Sequence, residues 1–138
     1  VGHDRVAFDV LVDNAEKRIE TIREDVQAQV RKDIVRMMTI YGEGEEIMFA
    51  RCREIGNAAM AIADVAGAAG MPELGEIASG IRAMVDSLFY KGVWHTDALE
   101  LHITSLLLLE SDPPPAAEEV ERVLTRLRKL RAAVGVVE

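Results

Sequence analysis

Glu54 and Asn57 are the residues whose types and spacing come nearest to a reaction centre in this chain. Three apart on a helix, a carboxylate and a carboxamide stand on adjacent turns of one face, where together they can orient a water molecule against an acyl phosphate. The same spacing also arises on any solvated helical face. Other reactive side chains are few: His3, His95 and His102 are the histidines and Cys52 is the single cysteine. A zinc or di-iron centre needs several ligands converging from neighbouring helices, and no Glu-x-x-His pair occurs, so no metal and no cofactor is expected. His95 and His102 are seven apart and could share a helical face, but read as a capping residue and a partly buried helix residue.

The elements that must position these residues are helices. Of 138 residues, 49% are hydrophobic and only 4% aromatic, so a core has to be assembled from Ala, Val, Ile, Leu and Met, which favours packed helices over an aromatic-rich β-sandwich. The length suits one domain. The net charge is −8, and residues 42–112 alone sum to −8. That sign repels phosphate backbones and argues against nucleic acid and anionic membrane as partners. No apolar run approaches the roughly 20 residues that a membrane span needs. With no basic segment leading into an apolar one at the start, and with one unpaired cysteine, the chain is expected in a reducing cytoplasm.

From Asp4 to about Tyr41 there is no Gly or Pro, and Ala15, Ile19, Ile22, Val26, Val30 and Met37 recur at steps of three, four or seven. This predicts one long helix of about 55 Å. A small bundle cannot cover that length, so the first turns are expected to project or to pair with another chain, with Ile19, Ile22, Val26 and Val30 as the candidate dimer stripe. Gly42 and Gly44 end the helix, and a second runs to about Ala69. Gly70-Met71-Pro72 stops it and starts a third, which carries Leu74, Ile77, Ile81 and Val85 to about Lys91. Thr96 or Asp97 is the expected N-cap of a fourth helix ending near Ser111. Three prolines at 113–115 connect to a last helix from Ala116 to about Val134. The expectation is all-α: a single domain with a long N-terminal helix at 1–41 and a helical bundle with a four-helix core at 42–138.

The stretch Ile62-Ala63-Asp64-Val65-Ala66-Gly67-Ala68-Ala69, followed by the Gly70-Met71-Pro72 turn, resembles the histidine-phosphotransfer (HPt) domain. The helical motif of that family is His-x-x-Lys-Gly-small-small, then a turn and an apolar helix. Aligned on Gly67, Ala68 and Ala69, the resemblance puts the acceptor histidine at Ala63 and the lysine at Ala66. A methyl group neither accepts nor stabilises a phosphoryl group, so the resemblance implies a degenerate, HPt-like bundle that docks without transferring phosphate. Its candidate docking face is Ala63, Asp64, Ala66 and Gly67. The same small residues also fit a close helix crossing, in which Ala68 and Ala69 would face a neighbouring backbone.

The order of elements over most of the chain is similar to that of small alphaproteobacterial chemotaxis-associated helical proteins (CheE-like), which implies a signalling context more than a reaction. Glu54 and Asn57 resemble the Glu-x-x-Asn helix of one chemotaxis phosphatase family, although that family has an α/β scaffold with a duplicated motif. Asp25 and Gln29 share the Asp-x-x-x-Gln spacing of the helical chemotaxis phosphatase. The expected function is a non-enzymatic adaptor of bacterial two-component or chemotaxis type that binds a receiver domain or another signalling protein and forms a homodimer through the first helix. The alternatives are a receiver phosphatase using Glu54/Asn57 or Asp25/Gln29, and a plain helical dimerisation protein.

Overall fold

Glycines set several of the helix boundaries. A computed structural model describes residues 2–136, and among them finds six helices and no strand. They are α1 (Gly2–Gly42), α2 (Glu45–Ala50), α3 (Cys52–Ala66), α4 (Pro72–Lys91), α5 (Thr96–Leu109) and α6 (Ala117–Ala133). Gly44, at φ 103°, separates α1 from α2, and Gly92, at φ 66°, closes α4; both backbones are in the region that favours glycine. Beyond α4 the Gly92 and Val93 amides donate back to the Leu88 and Ser87 carbonyls, a Schellman closure. Pro72 opens α4 at a position where its missing amide proton costs nothing.

Two local expectations are corrected. The helix expected from 45 to 69 is two helices: Arg51 stands at φ −112°, ψ 17°, outside the helical region, while its guanidinium donates to Glu43 and Glu54. α3 then stops at Ala66, and Met71 N–H closes the following turn on the Ala66 carbonyl at 2.8 Å. Neither Thr96 nor Asp97 caps α5. His95 precedes the helix in an extended conformation with no side-chain cap bond. Thr96 Oγ1 instead accepts from Trp94 Nε1 and donates to Glu45 Oε1, both at 3.2 Å, which ties the start of α5 to α2.

α4 is central, packed on α3, α5 and α6, while α1 rests on α3 and α5. The core draws Ile55 and Ile62 from α3, Ile77 and Ile81 from α4, and Leu99 and Leu106 from α5. It also draws Val30, Ile34, Met37 and Ile40 from α1. The long helix is therefore not an appendage to a bundle at 42–138: its second half is part of that bundle, and residues 4–25 stand outside it, exposed to solvent throughout.

The close crossing made by small residues lies between α3 and α4, but not at 67–69. A Cβ added to Gly56 would come within 3.1 Å of Val85 Cγ1, and one added to Gly75 within 3.4 Å of the Ala66 Cβ. Gly67 and Ala68 are exposed and Ala69 half-buried, because the chain has already left the helix there. The expectation that Ala68 and Ala69 face a neighbouring backbone at a close crossing is corrected, and bulk there would not force two helices apart.

A polar contact sits inside the apolar core. His102 is 0% and Arg131 2% exposed. His102 Nδ1 lies 2.7 Å from the Ala98 carbonyl, and Nε2 lies 3.0 Å from Arg131 Nη1. A carbonyl can only accept and a guanidinium can only donate, so the imidazole is neutral with its proton on Nδ1. Gly80 of α4 admits the guanidinium, since a Cβ there would lie 2.5 Å from Arg131 Nη1. Gly80→Ala should therefore lower stability by roughly 1–3 kcal/mol through overpacking. Gly67→Ala, at φ −61° with nothing within 4 Å of the added carbon, should leave it unchanged or raise it by up to about 1 kcal/mol. Urea midpoints of the two variants check this; equal midpoints would show that Arg131 is not wedged against α4.

Candidate functional site

The first turns of α3 and the last turns of α4 diverge enough to leave a groove of about 390 Å³. Gly56 and Val85 form its floor, and Arg53, Asn57, Arg82 and Tyr90 its walls. The two arginines are held by identifiable contacts. The Arg53 guanidinium lies over the Phe89 ring, 4.9 Å from the centroid, a cation–π contact that joins α3 to α4. Arg82 Nε donates to Asp86 Oδ1 at 3.1 Å, one turn along the same helix. Tyr90, 85% exposed, stands at the last turn of α4 with Phe89 beside it. Phe49 and Trp94 pack nearby at the same end of the bundle, their ring centroids 5.0 Å apart and their planes tilted by 43°. Phe49, Phe89, Tyr90 and Trp94 thus gather at one end, and the groove combines Phe89 and Tyr90 with arginine, the composition found at the energetic centres of protein interfaces.

Asn57 faces this groove, but its proposed partner in chemistry does not share it. Glu54 Oε2 accepts from Arg51 Nε at 2.6 Å, and Oε1 accepts from Arg51 Nη2 and from Arg36 Nη2 of α1, both at 3.2 Å. Hydrogen bonds from Arg51 and Arg36 hold the Glu54 carboxyl down from its ordinary 4.5 to about 2, against the opposing effect of desolvation. A carboxylate so held is a weak base, and its oxygens are turned towards two guanidiniums. Asp25 and Gln29 lie one turn apart and both exposed on α1 where it joins the bundle, away from the groove.

The other sequence-predicted residues divide. Of the docking face, Asp64 and Gly67 are exposed, Ala63 is half-buried, and Ala66 is fully buried against α4 and closed to any partner. The exposed strip of α3 instead runs Arg53, Asn57, Met60, Asp64, at steps of three and four. Of the dimer stripe, Ile19 and Ile22 are exposed, Val26 is half-buried and Val30 belongs to the intramolecular core. His95 is exposed; the side chain of His3 lies outside the described part. His102, buried with Nε2 occupied by Arg131, is not placed to meet a phosphoryl donor. Among the described residues no group of three or more His, Cys, Asp or Glu side chains converges as a metal site, and no helix is long and apolar enough to cross a membrane.

Arg53, Arg82, Phe89 and Tyr90 escaped the sequence reading, since their relation depends on how α3 and α4 cross. The one signal available was that an aromatic-poor chain places Phe89-Tyr90 together at a helix end. No protein-family model, no curated protein and no solved structure matches the chain.

The Glu54 contacts give a pH dependence of known sign. Because its folded pKa lies below the ordinary value, the ionised carboxylate stabilises the fold above about 4.5, and that contribution is lost as pH falls from 4.5 towards 2. Glu54→Gln should flatten the acid limb of the melting temperature over this window. With the pair about one-third exposed, added salt should shrink the difference between variant and parent. Melting curves at stepped pH test this, and an unchanged acid limb in the variant would show that the arginine contacts do not persist in solution.

Proposed function

We propose that this chain is a non-enzymatic helical adaptor of bacterial two-component or chemotaxis signalling, an HPt-like bundle that docks a receiver domain along α3 and the α3/α4 groove. The observation that carries the reading is the groove itself. Arg53 is already braced on Phe89, and Tyr90 stands in water beside it, so two side chains of the kinds that dominate binding energy are presented together, the arginine with little left to order. The resemblance to phosphotransfer domains supplies the partner class. Ala63 in the acceptor position supplies the absence of transfer, and the engaged Glu54 speaks against hydrolysis at the Glu54/Asn57 pair.

Asp64 lies on the same α3 face as Asn57 and Met60, so part of the docking face read from the sequence is continuous with the groove. Arg53 and Arg82 against Asp86 leave the groove with a positive balance within an acidic protein, which favours an acidic patch on the partner.

Titration against a panel of receiver domains, phosphorylated and unphosphorylated, tests the proposal. Arg53→Glu and Tyr90→Ala should each weaken binding about tenfold or more, roughly 1.4 kcal/mol, with circular dichroism unchanged. Lys129→Ala, on exposed α6, should bind as the parent does. The dephosphorylation rate of the receiver should be the same with and without the protein. Accelerated dephosphorylation abolished by Asn57→Ala would make the chain a phosphatase, and indifference of every receiver would remove the signalling reading.

A further inference from the structure

One face of α1 is buried by its own chain in one half of the helix and by nothing in the other. Val30, Ile34, Met37 and Ile40 are in the core and Val26 is half-buried where α1 joins the bundle. On the same spacing of three and four, Phe8 is 65%, Ile19 57% and Ile22 59% exposed, with Val12 and Ala15 between them also in solvent. That pattern is a coiled-coil seam, with β-branched Val12, Ile19 and Val26 at the a positions and Phe8, Ala15 and Ile22 at d. A lone helical segment of this length is marginal in water, so the seam needs a cover.

We propose that a second copy of this chain covers it, and that the two helices run antiparallel over residues 9–25. The inference is independent of what docks in the α3/α4 groove. Direction follows first from sterics. From Val26 onward the seam turns against α3 and α5, so a parallel partner helix lying on the same seam would be driven into those helices. An antiparallel partner carries its own bundle away to the far end.

The layers then match. Val12 meets Ile22 of the second copy, Ala15 meets Ile19, and Phe8 reaches Val26, so every exposed seam residue finds an apolar partner and the small Ala15 faces a branched one. Residues 4–8 of each copy arrive where Gln27 and Arg31 stand beside Met71, Leu109 and Pro114.

Charge agrees with this direction. Antiparallel pairing over 9–25 sets Asp9 beside Arg23, twice by symmetry, against one Glu16–Glu16 and one Arg18–Arg18 approach at the axis. Parallel pairing would set Asp4 beside Asp9 and Arg18 beside Arg23, like charges in both cases.

Sedimentation equilibrium on the full chain should give twice the mass of one chain. Ile19→Glu with Ile22→Glu should give the single-chain mass with the bundle's melting transition retained and a loss of helical signal no larger than the exposed first half of α1, because both sites are solvent-exposed in one chain. Orientation is read by oxidation in a Cys52→Ala background, which leaves the folded seam otherwise intact. A mixture of Val12→Cys and Ile22→Cys chains should cross-link as a heterodimer, and neither variant alone should cross-link, since like positions lie about 15 Å apart along the axis. A single-chain mass for the parent at high concentration, a double mutant that remains dimeric, or self-cross-linking of Ile22→Cys would each overturn the proposal.

Discussion

The hydrogen bond from Arg131 to His102 is the constraint around which the bundle is organised. A guanidinium withdrawn from water destabilises any arrangement that leaves its donors unmatched, so packings that bring α6 against α5 in this register are favoured. The imidazole meets part of that demand by presenting a lone pair at Nε2 to Arg131 Nη1, which it can do because the Ala98 carbonyl fixes the proton on Nδ1. Gly80 completes the arrangement by removing the side chain that would otherwise occupy the guanidinium's place on α4. Three helices are thereby keyed to one another by a glycine, a histidine and an arginine. Apolar contacts such as Leu124 and Leu127 supply the driving force but would tolerate a slip that this contact does not.

Around this centre, ion pairs between helices repeat the same role at the surface with less energy in each. Arg36 of α1 reaches Glu54 of α3, Arg31 of α1 reaches Glu110 beyond α5, and Arg128 of α6 forks onto Glu76 of α4. Exposed pairs of this kind contribute about 0–1 kcal/mol apiece. Their value lies in direction: each restricts how one helix can rotate or slide on its neighbour. The pairs on Arg31 and Arg36 also hold the second half of α1 in the bundle, and so determine where its exposed half begins.

What the sequence disclosed was what short-range chemistry controls. Gly44 and Gly92 lie at helix ends and Pro72 opens α4, as local composition predicts, and the spacing from Ala15 to Met37 identified α1 as one helix. What it concealed depended on contacts between distant residues. Arg51 leaves the helical region between α2 and α3 while its guanidinium contacts Glu43 and Glu54, a break that nothing in the local composition marks. Gly67-Ala68-Ala69 and Gly56 are equally small, and only the termination of α3 at Ala66 decides which of them lies at a helix crossing. His102 read as partly buried because nothing near it in the chain reveals that Arg131, 29 residues later, will close over it. The groove was invisible for the same reason, since Arg53 and Phe89 meet only after α3 and α4 have packed.

The two surfaces left open by folding lie at opposite ends of the bundle. The groove uses the start of α3 and the end of α4, whereas α1 leaves the bundle beside Met71 and Leu109, at the end of α3 and the start of α4. A helix the length of α4 separates them by about 25–30 Å, so occupation of one surface does not obstruct the other. In the antiparallel pair proposed for α1, the two bundles sit at opposite ends of the joined helices and their grooves face outward from the assembly. Such a rod would hold two docking sites at a fixed separation, with the helix pair as a stiff spacer. It would favour partners that are themselves dimeric or clustered, because capture at one groove raises the effective concentration at the other only when the partner's sites match that span. The weak affinity expected of a small groove with a few aromatic and arginine contacts then becomes compatible with selective binding, since selection rests on spacing as well as on contact chemistry.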